Sequence, residues 1–169
     1  MKIDAKDIVE ELDSQIDFWL DEAAASKDDY PYLALCHNEA ERIGIRKQAF
    51  ERVVGLFHQH GIGLELAHKD HPSWAVILPD ASSVGKYRYQ AFSKDGFYAH
   101  VSRDTVVEIL LEAVSDGFTE PDNGALERLA GTSQWRKGLR VTDLLTAVNA
   151  GRMTHEQAEK EYEALEKAL

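Results

Sequence analysis

Five of the seven histidines fall in the middle of the chain and are the first candidates for chemistry. His58 and His60 precede Gly61, His68 and His71 bracket a polar connection, and His100 closes a later apolar run. Neutral imidazoles brought together hold zinc or another transition metal. Their spacing argues for a plainer role. His58 and His60 fall in the last turn of an expected helix, where partial positive charge suits the dipole, and two positions apart they point in different directions. His68 and His71 flank Lys69-Asp70 in a polar loop. No metal is expected from this set. General acid–base chemistry is the other use of such side chains. Asp70, His71, Asp80 and His100 all fall at expected strand ends or loops, beside Tyr87 and Tyr89, which could line a pocket.

Other engines lack their parts. There is no phosphate loop, no dinucleotide fingerprint and no nucleophile elbow. His155-Glu156 is followed by Glu159 where a zinc-protease helix needs its second histidine. Cys36 and His37 are neighbours on an expected helix and diverge, so they make no nucleophile–base pair. Cys36 fits better as a small buried residue. As the single cysteine, it also rules out an intrachain disulfide and suits a reducing, cytoplasmic setting.

Charge is the most unusual feature. Thirty acids against 19 basic residues give a net charge of −11 over 169 residues, and the first 30 residues carry ten acids against three lysines. Such a balance argues against direct nucleic-acid binding, which needs a basic footprint. Asp4, Asp7, Glu10, Glu11, Asp13, Asp17, Asp21 and Glu22 are eight carboxylates within 19 residues. On a helix that is about 28 Å, or one charge per ~3.5 Å, against about 3.4 Å between phosphates of a DNA strand. Glu10, Asp13, Asp17 and Asp21 recur every three or four positions, a stripe along one side. Like charges at that spacing weaken an isolated helix. Such a stripe could steer and dock a basic surface, or serve only as a solvated face.

The elements that position these residues follow from periodicity. Ile8, Leu12, Ile16, Trp19 and Leu20 mark one face of a helix from Asp4 to Ala25, with Asp4 as its N-cap. Pro31 opens a second helix to Ile43; Gly44 interrupts it, and Arg46 to Gln59 forms a third, ended by Gly61. The period then changes to two, predicting three or four antiparallel strands between Ile62 and Val101, with an Asp95-Gly96 hairpin turn. A helix capped by Ser102 or Asp104 runs to Ser115. Beyond Pro121 short helical pieces are expected at Gly124–Ala130 and Ser133–Lys137. A helical hairpin follows, Thr142–Asn149 and His155–Ala168, with a Thr154/Gln157 capping box. This last stretch resembles the short helix–Gly–turn–helix tails of many bacterial proteins, which implies a packing or oligomerising element.

The expected fold is α+β: an acidic helical region 1–60, a small antiparallel meander with a packed helix 61–118, and a helical tail 119–169, together forming one compact unit. No apolar run spans a membrane, and Met1-Lys2-Ile3-Asp4 does not begin a signal peptide. The leading functional reading is a non-enzymatic binding protein without cofactor. Asp7, Glu10, Asp13, Asp17 and Asp21 would dock a basic partner surface, as an inhibitor of a nucleic-acid-handling complex from a phage or mobile element would do. A small His/Asp enzyme with its site in the sheet region, and an oligomeric structural or regulatory protein, are the alternatives.

Overall fold

Two long antiparallel helices open the chain in the computed structural model, which describes residues 2–26 and 28–167. α1 (Lys6–Ala25) begins two residues later than expected. Asp4 is not its N-cap: that place belongs to Ala5, while the Asp4 carboxylate accepts the Lys6 N–H at 3.0 Å. α2 (Tyr30–His60) is capped by Asp29, which accepts the Tyr32 N–H, and carries Pro31 in its first turn. It is a single helix through Gly44, where a break was expected. Cys36, Ala40, Ile43, Phe50, Val53 and Phe57 are buried in one continuous stripe across that glycine. Packing of this stripe outweighs the ~1 kcal/mol propensity cost of one glycine. Gly61, at φ 71°, ends the helix in a conformation that favours glycine.

Five antiparallel strands follow in the order β4-β3-β2-β1-β5: β1 (Glu65–His68), β2 (Ser73–Pro79), β3 (Tyr87–Ser93), β4 (Gly96–Arg103) and β5 (Phe118–Pro121). The first four form the expected meander. Its last turn is Lys94-Asp95, with Ser93 paired to Gly96, so Gly96 opens β4 rather than sitting in the turn. The fifth strand was not expected; it lies against the other edge of β1. Between β4 and β5, α3 (Val106–Ser115) is capped by Thr105 in a box with Glu108, not by Ser102 or Asp104.

The continuous apolar run Trp74–Leu78 reflects a strand covered on both faces. On one face Leu66, Ala75, Ile77, Tyr89, Ala91 and Phe118 pack beneath α2 and α3, with Leu12 of α1 joining that core. On the other, Val76 and Phe92 meet Ala125 and Trp135, flanked by Trp74 and Leu78. This second layer comes from α4 (Ala125–Ala130) and α5 (Ser133–Asn149). α5 is one helix where two pieces were expected, and it runs through Gly138. There the β3–β4 turn comes so close that a Cβ would lie 1.7 Å from the Asp95 carbonyl oxygen. α6 (His155–Lys167) folds back on α5 behind the expected Thr154/Gln157 capping box; the Ala168 end predicted for it lies outside the described residues. Among the described residues no helix is long and apolar enough to cross a membrane.

Candidate functional site

α1 packs on α2 through Leu12 and Ala23, with Ile8, Ile16 and Trp19 beside them, and this decides which acids face outward. Asp13 is half-exposed and already engaged. Lys47 of α2 reaches its carboxylate at 2.5 Å, and that bond holds the Lys47 ammonium above its usual range. Glu22 is likewise turned to α2, where it accepts the Tyr32 hydroxyl at 2.8 Å; the bond, aided by burial, pushes the phenol up to about 12. Asp7, Glu10, Glu11, Asp17 and Asp21 stay exposed. Glu10 meets Lys6 at 3.4 Å and Glu11 accepts from the Gln15 amide. Asp7, Asp17 and Asp21 make no hydrogen bond or ion pair among the described residues.

Two apolar side chains share this exterior. Phe18 is 55% exposed, its ring edge-on to Trp19 at 5.3 Å between centroids. Leu20, expected on the buried side, is 44% exposed. Phe18 was missed in the sequence. Its signal was its place out of register with Leu12, Ile16 and Trp19, next to Asp17 and three positions before Asp21. Asp7 to Asp21 covers about 21 Å along the axis. Five outward carboxylates over that length give one per ~4–5 Å, looser than the phosphate-like spacing of the bare sequence. The surface is an acidic helix face with an exposed aromatic ring near its C-terminal end.

The alternative acid–base set does not come together. Asp70 and His71 precede β2 and Asp80 follows it, so about 20 Å of strand separates them. Both Asp70 and His71 are exposed, and His71 stacks on His68 at 4.6 Å. Asp80 is a buried loop clasp. It accepts the Ser102 hydroxyl at 2.5 Å and the Ser82 hydroxyl and N–H at 2.6 and 2.8 Å, which hold its carboxyl well below the usual range. His100 lies exposed in mid-β4, opposite Gln90, with Tyr87 at the far end of β3 opposite Pro79. Tyr89 is buried, and its hydroxyl donates to Asp116; burial and that bond push the phenol upward.

His58 contacts the backbone of Ile3, His60 lies 3.4 Å from the Asn123 amide, and Glu156 pairs with Lys160. Among the described residues no three His, Cys, Asp or Glu side chains are arranged to hold a metal ion. Cys36 is fully buried. No protein-family model, curated protein or solved structure matches the chain.

Proposed function

We propose that the chain is an acidic binding protein that docks a basic protein surface with the outer face of α1. One observation carries this reading: exposed Phe18 lies next to Asp17 and one turn before Asp21, at the end of a row of five outward carboxylates, three of which engage no other group among the described residues. A face that served solubility alone gains nothing from an exposed phenylalanine. An aromatic anchor at the end of a row of like charge is instead suited to binding. The charges steer encounter, and burial of the ring slows dissociation. Partner surfaces of matching chemistry carry rows of Lys and Arg, as surfaces built to hold nucleic acid do. Covering such a row would block it, so inhibition of a nucleic-acid-handling complex is the finer form of the proposal.

The test uses two variants of equal net charge. Asp7→Asn, Glu10→Gln, Asp17→Asn and Asp21→Asn remove four charges from α1, taking −11 to −7. Glu41→Gln, Glu51→Gln, Glu127→Gln and Asp143→Asn remove four exposed charges elsewhere. The first variant should fail to retain a basic protein that wild type and the second both capture at low salt. Equal capture by both variants would refute the reading. A second reading, assembly through the C-terminal helices, draws support from Leu139 and Leu145, which are 40% and 59% exposed on α5. Light scattering at high concentration decides it: a dimeric or larger mass supports assembly, and a monomeric mass excludes it.

A further inference from the structure

In a chain so rich in acids, a place where cations outnumber them stands apart. A groove of about 410 Å³ lies between the middle of α2 and the α3–β5 turn. Arg42, Arg46 and Arg52 line it from α2 and Lys69 from the β1–β2 loop, with Glu120 as the one acid in its wall. Arg42 and Arg52 are already positioned. Arg42 binds Glu39 at 2.6 Å, and Arg52 binds Glu120 at 2.7 Å and the Thr119 carbonyl at 3.2 Å. Each guanidinium has five N–H donors, so these bonds fix its place and leave others for an incoming group.

Arg46 differs from both. It is half-buried, and makes no ion pair or hydrogen bond among the described residues; its Nε is shielded from water with no acceptor. A shielded guanidinium N–H without an acceptor is costly. The Nη groups of the same guanidinium are not shielded and carry no hydrogen bond among the described residues, so an oxyanion in the groove can accept from them and give this cation the partner it lacks. Lys69 is paired with Asp70 at 3.6 Å, so of the four cations only Arg46 lacks an ion pair among the described residues; the unused N–H donors of all four suit a group with three acceptor oxygens better than a carboxylate with two. Ile45 and Ala49, on the same wall, offer an apolar surface to the rest of the ligand.

We infer that this groove binds a small ligand bearing a phosphoryl group, held by the unpartnered Arg46 within the field of Arg42, Arg52 and Lys69. It uses no residue of α1, so it stands or falls separately from the docking proposal. The full chain is titrated with inorganic phosphate, then with phenyl phosphate, against chloride at matched ionic strength, following backbone amides by NMR. Saturable shifts are expected at Ala49, Gly117 and Thr119, with phenyl phosphate binding more tightly. Arg46→Gln should weaken phosphate binding about tenfold or more, with Arg46→Lys intermediate. If Arg46→Gln fails to fold, Lys69→Gln in the exposed loop should still lower the affinity about threefold. No saturable shift, equal shifts with chloride, or wild-type affinity in the substituted chains would overturn the assignment. So would a mass of two chains that phosphate reduces to one, which would give the groove to an acidic segment of a second copy.

Discussion

Alanine at Gly55 and alanine at Gly138 are the same chemical change on two helices, and the fold assigns them opposite signs. Around Gly55 in α2 no heavy atom lies within 4 Å of an added Cβ. Only helix propensity acts there, so Gly55→Ala should raise stability by about 0.8–1 kcal/mol. At Gly138 the Cβ would lie 1.7 Å from the Asp95 carbonyl oxygen and 2.5 Å from its carbon. The obstacle is backbone, fixed by the Phe92–Phe97 and Ser93–Gly96 pairs of the hairpin, and cannot swing aside as a side chain would. α5 must therefore retreat by about 1.5–2 Å to reach ordinary contact. That retreat breaks the Gln134–Asp95 bond and lifts Trp135 from Phe92 and Phe97, whose centroids lie 6.0 and 5.2 Å away. Overpacking costs about 1–3 kcal/mol and losing much of a tryptophan's packing about 3–5 kcal/mol. Allowing for partial retreat and the propensity gain, Gly138→Ala should lose about 2–4 kcal/mol. In urea, with a slope of about 2 kcal/mol/M, the midpoint should fall by about 1–2 M for Gly138→Ala and rise by about 0.5 M for Gly55→Ala. Tryptophan fluorescence reads both transitions. A Gly138→Ala chain as stable as wild type would refute the docking of α5 on the hairpin.

Phe92→Ala empties the second core at its centre, among Trp74, Phe97 and Trp135, and should cost about 3–5 kcal/mol by chemical denaturation. Tyr89→Phe removes the hydroxyl that binds Asp116 and should cost about 1 kcal/mol in the same assay. Asp80 has a folded pKa below its unfolded value, so its stabilisation is present above the unfolded pKa of about 3.9 and fades as pH falls through the acid range. Asp80→Asn should lower the thermal midpoint at neutral pH and flatten its decline below about pH 5. Parallel midpoint-against-pH curves for the two proteins would contradict the clasp.

The fold class was legible because both periods are strong: the apolar faces of α1, α2 and α3 at three-to-four spacing, and alternation from Leu64 to Val101. Gly44 read locally as a break, yet the stripe from Cys36 to Phe57 carries one helix on. The piece expected at Ser133–Lys137 runs on to Asn149 through Gly138, whose missing side chain admits the hairpin. β5 has four residues and ends in proline, too short for any period; pairing with β1 makes it a strand. The acidic stripe was visible as charge, but its facing was not. Asp13 is claimed by Lys47, 34 positions away, and Glu22 by Tyr32 across the helical turn. Three cations of the groove lie on α2 within 11 residues and the fourth in the β1–β2 loop; only the fold shows that they line one groove.

Docking through the outer face of α1 is tested best by affinity for the captured basic partner. Four exposed charge pairs at about 0.5–1 kcal/mol each amount to about 2–4 kcal/mol, or a factor of about 30 to 1,000 in Kd. That loss is expected at low salt for the variant neutral at Asp7, Glu10, Asp17 and Asp21, and it should shrink as salt rises. The charge-matched control at Glu41, Glu51, Glu127 and Asp143 should bind within about twofold of wild type. Equal affinities for the two variants would mean that net charge, not the outer face of α1, governs binding, and would contradict that docking.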